Sequence, residues 1–117
     1  MDPLPIINLT YDLYKLIADI NNNAEKRWRY TLGQSLEETV LNCLTQLILA
    51  KKAPKPLKVS FLITADANFE VATFKLRLFL ELKAANETRI FQAQAKISKI
   101  GTQLGGWINS LQNVKND

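Results

Sequence analysis

The chain has 117 residues, 47% of them hydrophobic and 22% charged, which suits one globular domain that buries its own core without disulfides or metal. There is no histidine and one cysteine, which excludes an internal disulfide and removes the commonest general base and metal ligand. Lysine and arginine number 15 against 11 acids, and the net charge of +4 is compatible with an acidic partner such as nucleic acid.

The first predicted helix runs from about Pro3 to Asn21. Ile6, Leu9, Leu13, Leu16, Ile17 and Ile20 recur at three- and four-residue steps, which places them on one face. Asp2 before Pro3 is a start signal, because proline is tolerated in a first turn. Asn21, Asn22 and Asn23 end the segment, since asparagine prefers caps and turns. Residues 22–30 read as a polar, basic connection. Met1-Asp2-Pro3 carries no basic n-region, so no signal peptide is expected, and no apolar run reaches the ~20 residues of a membrane span.

Thr31 and Gln34 stand three apart, the spacing of a capping box, and open the second helix. It continues through Leu36, Val40, Cys43, Leu44, Leu47 and Ile48 to about Lys52, with cations in its last turn. Cys43 sits among apolar residues and reads as a small core residue, consistent with a reducing cytoplasm. Pro54 and Pro56 force a break.

The third helix is expected over about Leu57 to Ala85. Leu62, Ala65, Phe69, Ala72, Leu76 and Phe79 form a heptad seam, whose length outweighs the β-branched Val59, Ile63 and Thr64. A second stripe, Val71, Phe74, Leu78 and Leu82, offers more apolar surface than one bundle core needs and so suits a neighbouring subunit. Asn86 is a good N-cap for the fourth helix. There Ile90, Ala93, Ile97, Ile100, Leu104, Trp107 and Leu111 again step by three and four, with Phe91 and Ile108 widening the stripe. From Gln112 the tail is polar. Short connections between long amphipathic helices predict an all-α fold, an up-down antiparallel four-helix bundle in a single domain.

Glycine in a helix interior costs on the order of 1 kcal/mol relative to alanine. Gly101, Gly105, Gly106 and the following Trp107 therefore need a reason. Close packing of another helix with the indole covering the gap is one; a flat seam that docks a second subunit is the other.

No catalytic constellation, metal-ligand set or cofactor motif is present. Glu37 and Glu38 read as anions at a positive helix end, and Asp66 and Glu70 as solvated surface acids. The cations point elsewhere. Lys26, Arg27 and Arg29 cluster in the first connection, where Trp28 and Tyr30 interleave with them; cations suit phosphates, and aromatic and arginine planes stack on unpaired bases. Lys51, Lys52, Lys55 and Lys58 cluster at the second connection with no acid among them, at the opposite end of an up-down bundle. Lys75 and Arg77 lie on the third helix, Lys96 and Lys99 on the fourth. A merely solvated surface is the competing reading.

Three blocks carry a resemblance. Ile100-Gly-x-x-Leu-Gly-Gly-Trp-Ile108 resembles the closing signature of the accessory variability determinant (Avd) family, whose genes lie beside the reverse transcriptases of diversity-generating retroelements. Lys26-Arg27-Trp28-Arg29, followed by Thr31-Leu32-Gly33 and Leu36-Glu37, is similar to an upstream family block, and Leu76-Arg77-Leu78 with Glu81-Leu82 to a third. The resemblance implies a four-helix bundle assembled into a homopentameric ring. It also implies a cytoplasmic, prokaryotic or phage-encoded, non-catalytic subunit that binds the retroelement reverse transcriptase and RNA or an RNA/DNA hybrid. Arg77 matches a family position used for that partner, whereas Thr73 and Thr102 stand where family members often carry basic residues. The alternatives are the RNA-binding four-helix bundle protein encoded in intervening sequences of bacterial 23S ribosomal RNA, whose apolar-Asn-Ile-Ala-Glu-Gly run is missing here, and a plain oligomeric scaffold.

Overall fold

Proline and asparagine set the helix starts. In the computed structural model, which describes residues 2–113, Asp2 Oδ1 accepts the Leu4 N–H at 3.0 Å, and α1 runs Leu4–Asn22. A single helical turn, α2 (Lys26–Arg29), lies within the connection expected to be polar and basic. Then come α3 (Leu32–Lys52), α4 (Lys55–Glu81) and α5 (Glu87–Asn113). Ala53 and Pro54 are extended, as the two prolines require. Asn86 Oδ1 accepts the Arg89 N–H at 2.9 Å, closing the start of α5. Beyond residue 113 the expected polar tail lies outside the described residues, and α5 itself continues through Gln112.

Two boundaries differ from expectation. Thr31 forms no capping box: its hydroxyl donates back to the Arg27 carbonyl at 2.6 Å, and the Gln34 amide faces Glu38 instead. Thr31 is thereby bound into the end of α2, which the sequence pattern did not show. The third long helix stops at Glu81 rather than Ala85. Lys83 takes a left-handed conformation (φ 53°), the Ala84 N–H bonds the Phe79 carbonyl and the Lys83 N–H bonds the Leu80 carbonyl. This is a Schellman ending built without glycine, closed by burial of Ala84 and Phe79.

The four long helices pack in a ring, each against two neighbours: α3 and α5 both lie against α1 and α4, and α3 with α4 is the most extensive pair. The described residues contain no strand. All six heptad positions of α4 are buried, from Leu62 to Phe79. They meet Ile6, Leu13 and Ile17 of α1, Leu36, Val40, Cys43 and Leu47 of α3, and Ile90, Ala93, Ile100 and Leu104 of α5 in one core. Each fully buried leucine or isoleucine contributes roughly 1.5–3 kcal/mol. Phe91, expected to widen the α5 stripe, is 48% exposed, and Ile48 lies at the rim of α3.

At one end the α1–α3 junction is locked by polar groups. The Asn21 side-chain amide donates to the Gly33 carbonyl at 2.8 Å and to Glu37 Oε2 at 2.6 Å, while the Tyr14 hydroxyl donates to Glu37 Oε1. Glu37 is therefore an acceptor tying two helices together as well as an anion near a helix start. Gly33 is the glycine that close approach demands: a Cβ there would meet Asn21 Oδ1 at 2.6 Å and the Trp28 carbonyl at 3.0 Å.

Gly33→Ala is accordingly expected to lower the unfolding free energy in urea by roughly 1–3 kcal/mol. In the same assay Lys83→Gly should raise it, by up to about 1 kcal/mol, because glycine tolerates the left-handed backbone that lysine resists.

Candidate nucleic-acid and partner interface

The predicted cations divide into those that the fold consumes and those that it displays. Arg29 is consumed. Its Nε donates to the Asn21 carbonyl at 3.1 Å, and its Nη2 to the Asn22 and Ala24 carbonyls at 3.0 and 3.2 Å. These carbonyls lie at and just beyond the C-terminal end of α1, where a positive charge is also favoured by the helix dipole; the Asn21 carbonyl accepts the Ala24 N–H as well. Lys58 does the same for α3, with its ammonium donating to the Ala50 and Lys51 carbonyls at 2.8 and 3.0 Å. Lys75 is half-buried between α4 and α3, donating to Ser35 Oγ at 2.6 Å and Thr39 Oγ1 at 2.7 Å. These three carry structural bonds that their sequence positions did not reveal.

Arg27 is displayed. Its guanidinium lies 4.7 Å from the centre of the Trp28 ring and 3.2 Å from Glu25, with 72% of its side chain exposed. Lys26 is exposed beside it, and Tyr30 is 62% exposed next to Arg29. This end thus presents cations and aromatic planes together, the combination that holds phosphates and stacks on bases. Trp28 itself is half-buried, and its Nε1–H finds no acceptor among the described residues.

At the other end Lys51, Lys52 and Lys55 are exposed, and none of them forms an ion pair among the described residues. The 21 residues of α3 separate this patch from Arg27 by about 30 Å at 1.5 Å per residue. The structure therefore does not bring the two basic clusters together. On the flanks, Arg77 pairs with Glu81 at 3.1 Å and stays 65% exposed. With Phe74 and Leu78 these two residues line a shallow groove on α4. The second apolar stripe is open: Val71, Phe74, Leu78 and Leu82 are 39–60% exposed. Lys96 is half-buried and Lys99 exposed on α5.

The α5 glycines do not serve close packing among the described residues. A Cβ at Gly101, Gly105 or Gly106 would meet nothing within 4 Å. Trp107 does not cover them; it is 4% exposed and belongs to the core beside Leu104. The glycines and the tryptophan, read as one seam from their adjacency, thus point to different environments.

Nucleophilic chemistry has little to work with here. Burial raises the Cys43 thiol from 9.0 to about 12, so at neutral pH it holds its proton. Among the described residues no three His, Cys, Asp or Glu side chains are grouped to hold a metal ion, and no helix is long and apolar enough to cross a membrane.

Arg29→Ala should cost roughly 1–3 kcal/mol in urea unfolding, by stranding carbonyls that a charged donor now satisfies. Arg27→Ala, at an exposed ion pair, should change stability by less than about 0.5 kcal/mol in the same measurement.

No curated protein matches the chain significantly. A family model does: that of bAvd-like proteins aligns with residues 6–111, which takes in all four long helices, the Arg27–Trp28 turn and the α5 glycines. On that match the chain belongs to the bAvd-like family.

Proposed function

We propose that this protein is a non-catalytic accessory subunit of a diversity-generating retroelement, which binds the reverse transcriptase and its template RNA or cDNA to support mutagenic reverse transcription. Membership of the bAvd-like family suggests the retroelement role. The observation that carries the binding role is the charge the fold leaves over. After Arg29, Lys58 and Lys75 are spent on internal acceptors, Lys26, Arg27, Lys51, Lys52 and Lys55 still stand exposed at the two ends, Arg27 against an aromatic plane. A rigid frame that holds exposed cations at fixed separation suits a long polyanion.

The same reading gives the flanks a role. Arg77 and Glu81 flank the apolar stripe on α4, so an open apolar surface is bordered by charge, the pattern of an apolar interface core with a polar rim that fits a protein partner. The open glycine face of α5 is a flat strip on which a second copy can lie closely. A stripe on one face and a strip on another are heterologous surfaces, the kind that close into a ring when the rotation allows. The proposed assembly is a homopentamer, acting in the cytoplasm of a prokaryotic or phage-infected cell, where each patch would be multiplied by the subunit count.

Binding to single-stranded template RNA should weaken steeply with salt. Three phosphate contacts would give a slope of roughly −2 in a plot of log affinity against log salt concentration, at about 0.7 per contact. A flat salt response, or no binding at low salt, would reject the RNA role. Arg77→Ala should reduce co-purification with the co-expressed reverse transcriptase while leaving the urea midpoint in place, and loss of both together would mark Arg77 as structural. Phe74→Asp should convert a discrete wild-type oligomer to monomer in sedimentation. A wild-type monomer at micromolar concentration would overturn the ring.

A further inference from the structure

One cleft of the molecule combines concentrated positive charge with an apolar wall. It lies at the α3–α4 end, and its volume of about 520 Å³ falls within the roughly 300–1,000 Å³ range of small-ligand sites. Lys51, Lys55 and Lys58 line it together with the apolar Pro3, Trp107 and Leu111 and with Ser110. No acid among the described residues lines it; Asp2, next to Pro3 in the chain, accepts the Leu4 N–H through one carboxylate oxygen.

We propose that this cleft is a phosphate site that takes the terminal phosphomonoester of a nucleic-acid strand, with the attached sugar against the apolar wall. The inference rests on the nucleic-acid reading above and goes further by naming which part of the strand is held. Charge decides between an internal and a terminal phosphate. An internal phosphodiester carries one negative charge, whereas a phosphomonoester carries about 1.5–2 at neutral pH. Three ammonium groups on one cleft match the terminal group better.

Lys58 holds its place by two bonds to the end of α3, so it adds a fixed charge with a donor to spare. Lys51 and Lys55 are the mobile arms that close on the phosphate. Lysine is suited to this as a point charge, without the planar fork that arginine uses for bidentate recognition. The Ser110 hydroxyl donates to the Trp107 carbonyl at 2.7 Å, so toward the cleft its oxygen offers an acceptor, the complement of a ribose hydroxyl.

The test compares a 5′-phosphorylated with a 5′-hydroxyl oligoribonucleotide of the same sequence, bound to the full chain at low salt. The expected result is a preference of about tenfold for the phosphorylated strand. The double variant Lys51→Gln, Lys55→Gln should lose that preference. A charge-matched control, Lys15→Gln with Lys83→Gln, should keep it. Lys58 is left intact because it also closes α3. Inorganic pyrophosphate, followed by amide chemical shifts, should perturb residues 51–58 and 110–111 in the wild type and not in the Lys51, Lys55 variant. Wild type that binds both oligonucleotides equally, or a preference that survives in the double variant, overturns the cleft. Pyrophosphate shifts at the cleft without any strand preference assign it to free phosphates and overturn the strand end as its ligand. If RNA binding persists at full strength in these cases, the cleft fails alone; if neither oligonucleotide binds the wild type, the RNA role fails with it.

Discussion

Burial of the α4 heptad seam, Leu62 through Phe79, is the constraint on which the rest of the structure depends. It runs along most of α4 and packs against both α3 and α5, which are in turn closed by α1. With that seam inside, Val71, Phe74, Leu78 and Leu82 have to point outward, because a helix has one inward face in a four-helix ring. The exposed stripe follows from the buried one. A sequence that spends leucine and phenylalanine on a surface helix face retains a large apolar area for another molecule to cover.

Cations in this protein serve two competing ends. Every helix leaves carbonyls without intrahelical partners at its C-terminus, and in a bundle these fall at the same places as the connections. Arg29 closes α1 and Lys58 closes α3 in this way. Both sit in runs of basic residues whose other members, Lys26 and Arg27 or Lys51, Lys52 and Lys55, point to solvent. A structural cation at each end therefore anchors a group of exposed ones at a fixed position on the frame. On the proposed function, that arrangement links stability to binding: a basic connection closes the helix, and its remaining cations are available to attract an anion.

The glycines divide along the same line between internal and external demand. Gly33 answers to Asn21 and to the Trp28 carbonyl inside the chain. Gly101, Gly105 and Gly106 answer to nothing among the described residues. Three helix-interior glycines lower helix stability by about 1 kcal/mol each relative to alanine. No contact within the described chain offsets that loss, which is the physical argument for a partner on α5.

Periodicity alone determined the all-α class, the four long helices and the membership of the core seams, because a helix must bury its three- and four-residue stripe wherever it packs. The break at Pro54 and Pro56 and the cap at Asn86 were legible for the same local reason: proline geometry and asparagine hydrogen bonding act within a few residues. The stop at Lys83 was not, since a left-handed lysine leaves no sign in composition. Nor could spacing separate Arg29 from Arg27, or Lys58 from Lys55. Which cation meets a carbonyl depends on where another helix ends, and which lysines share a cleft with Trp107 depends on how α5 returns between α1 and α4, diagonally across from α3. Those are distances between residues far apart in the chain, and only the packed bundle decides them.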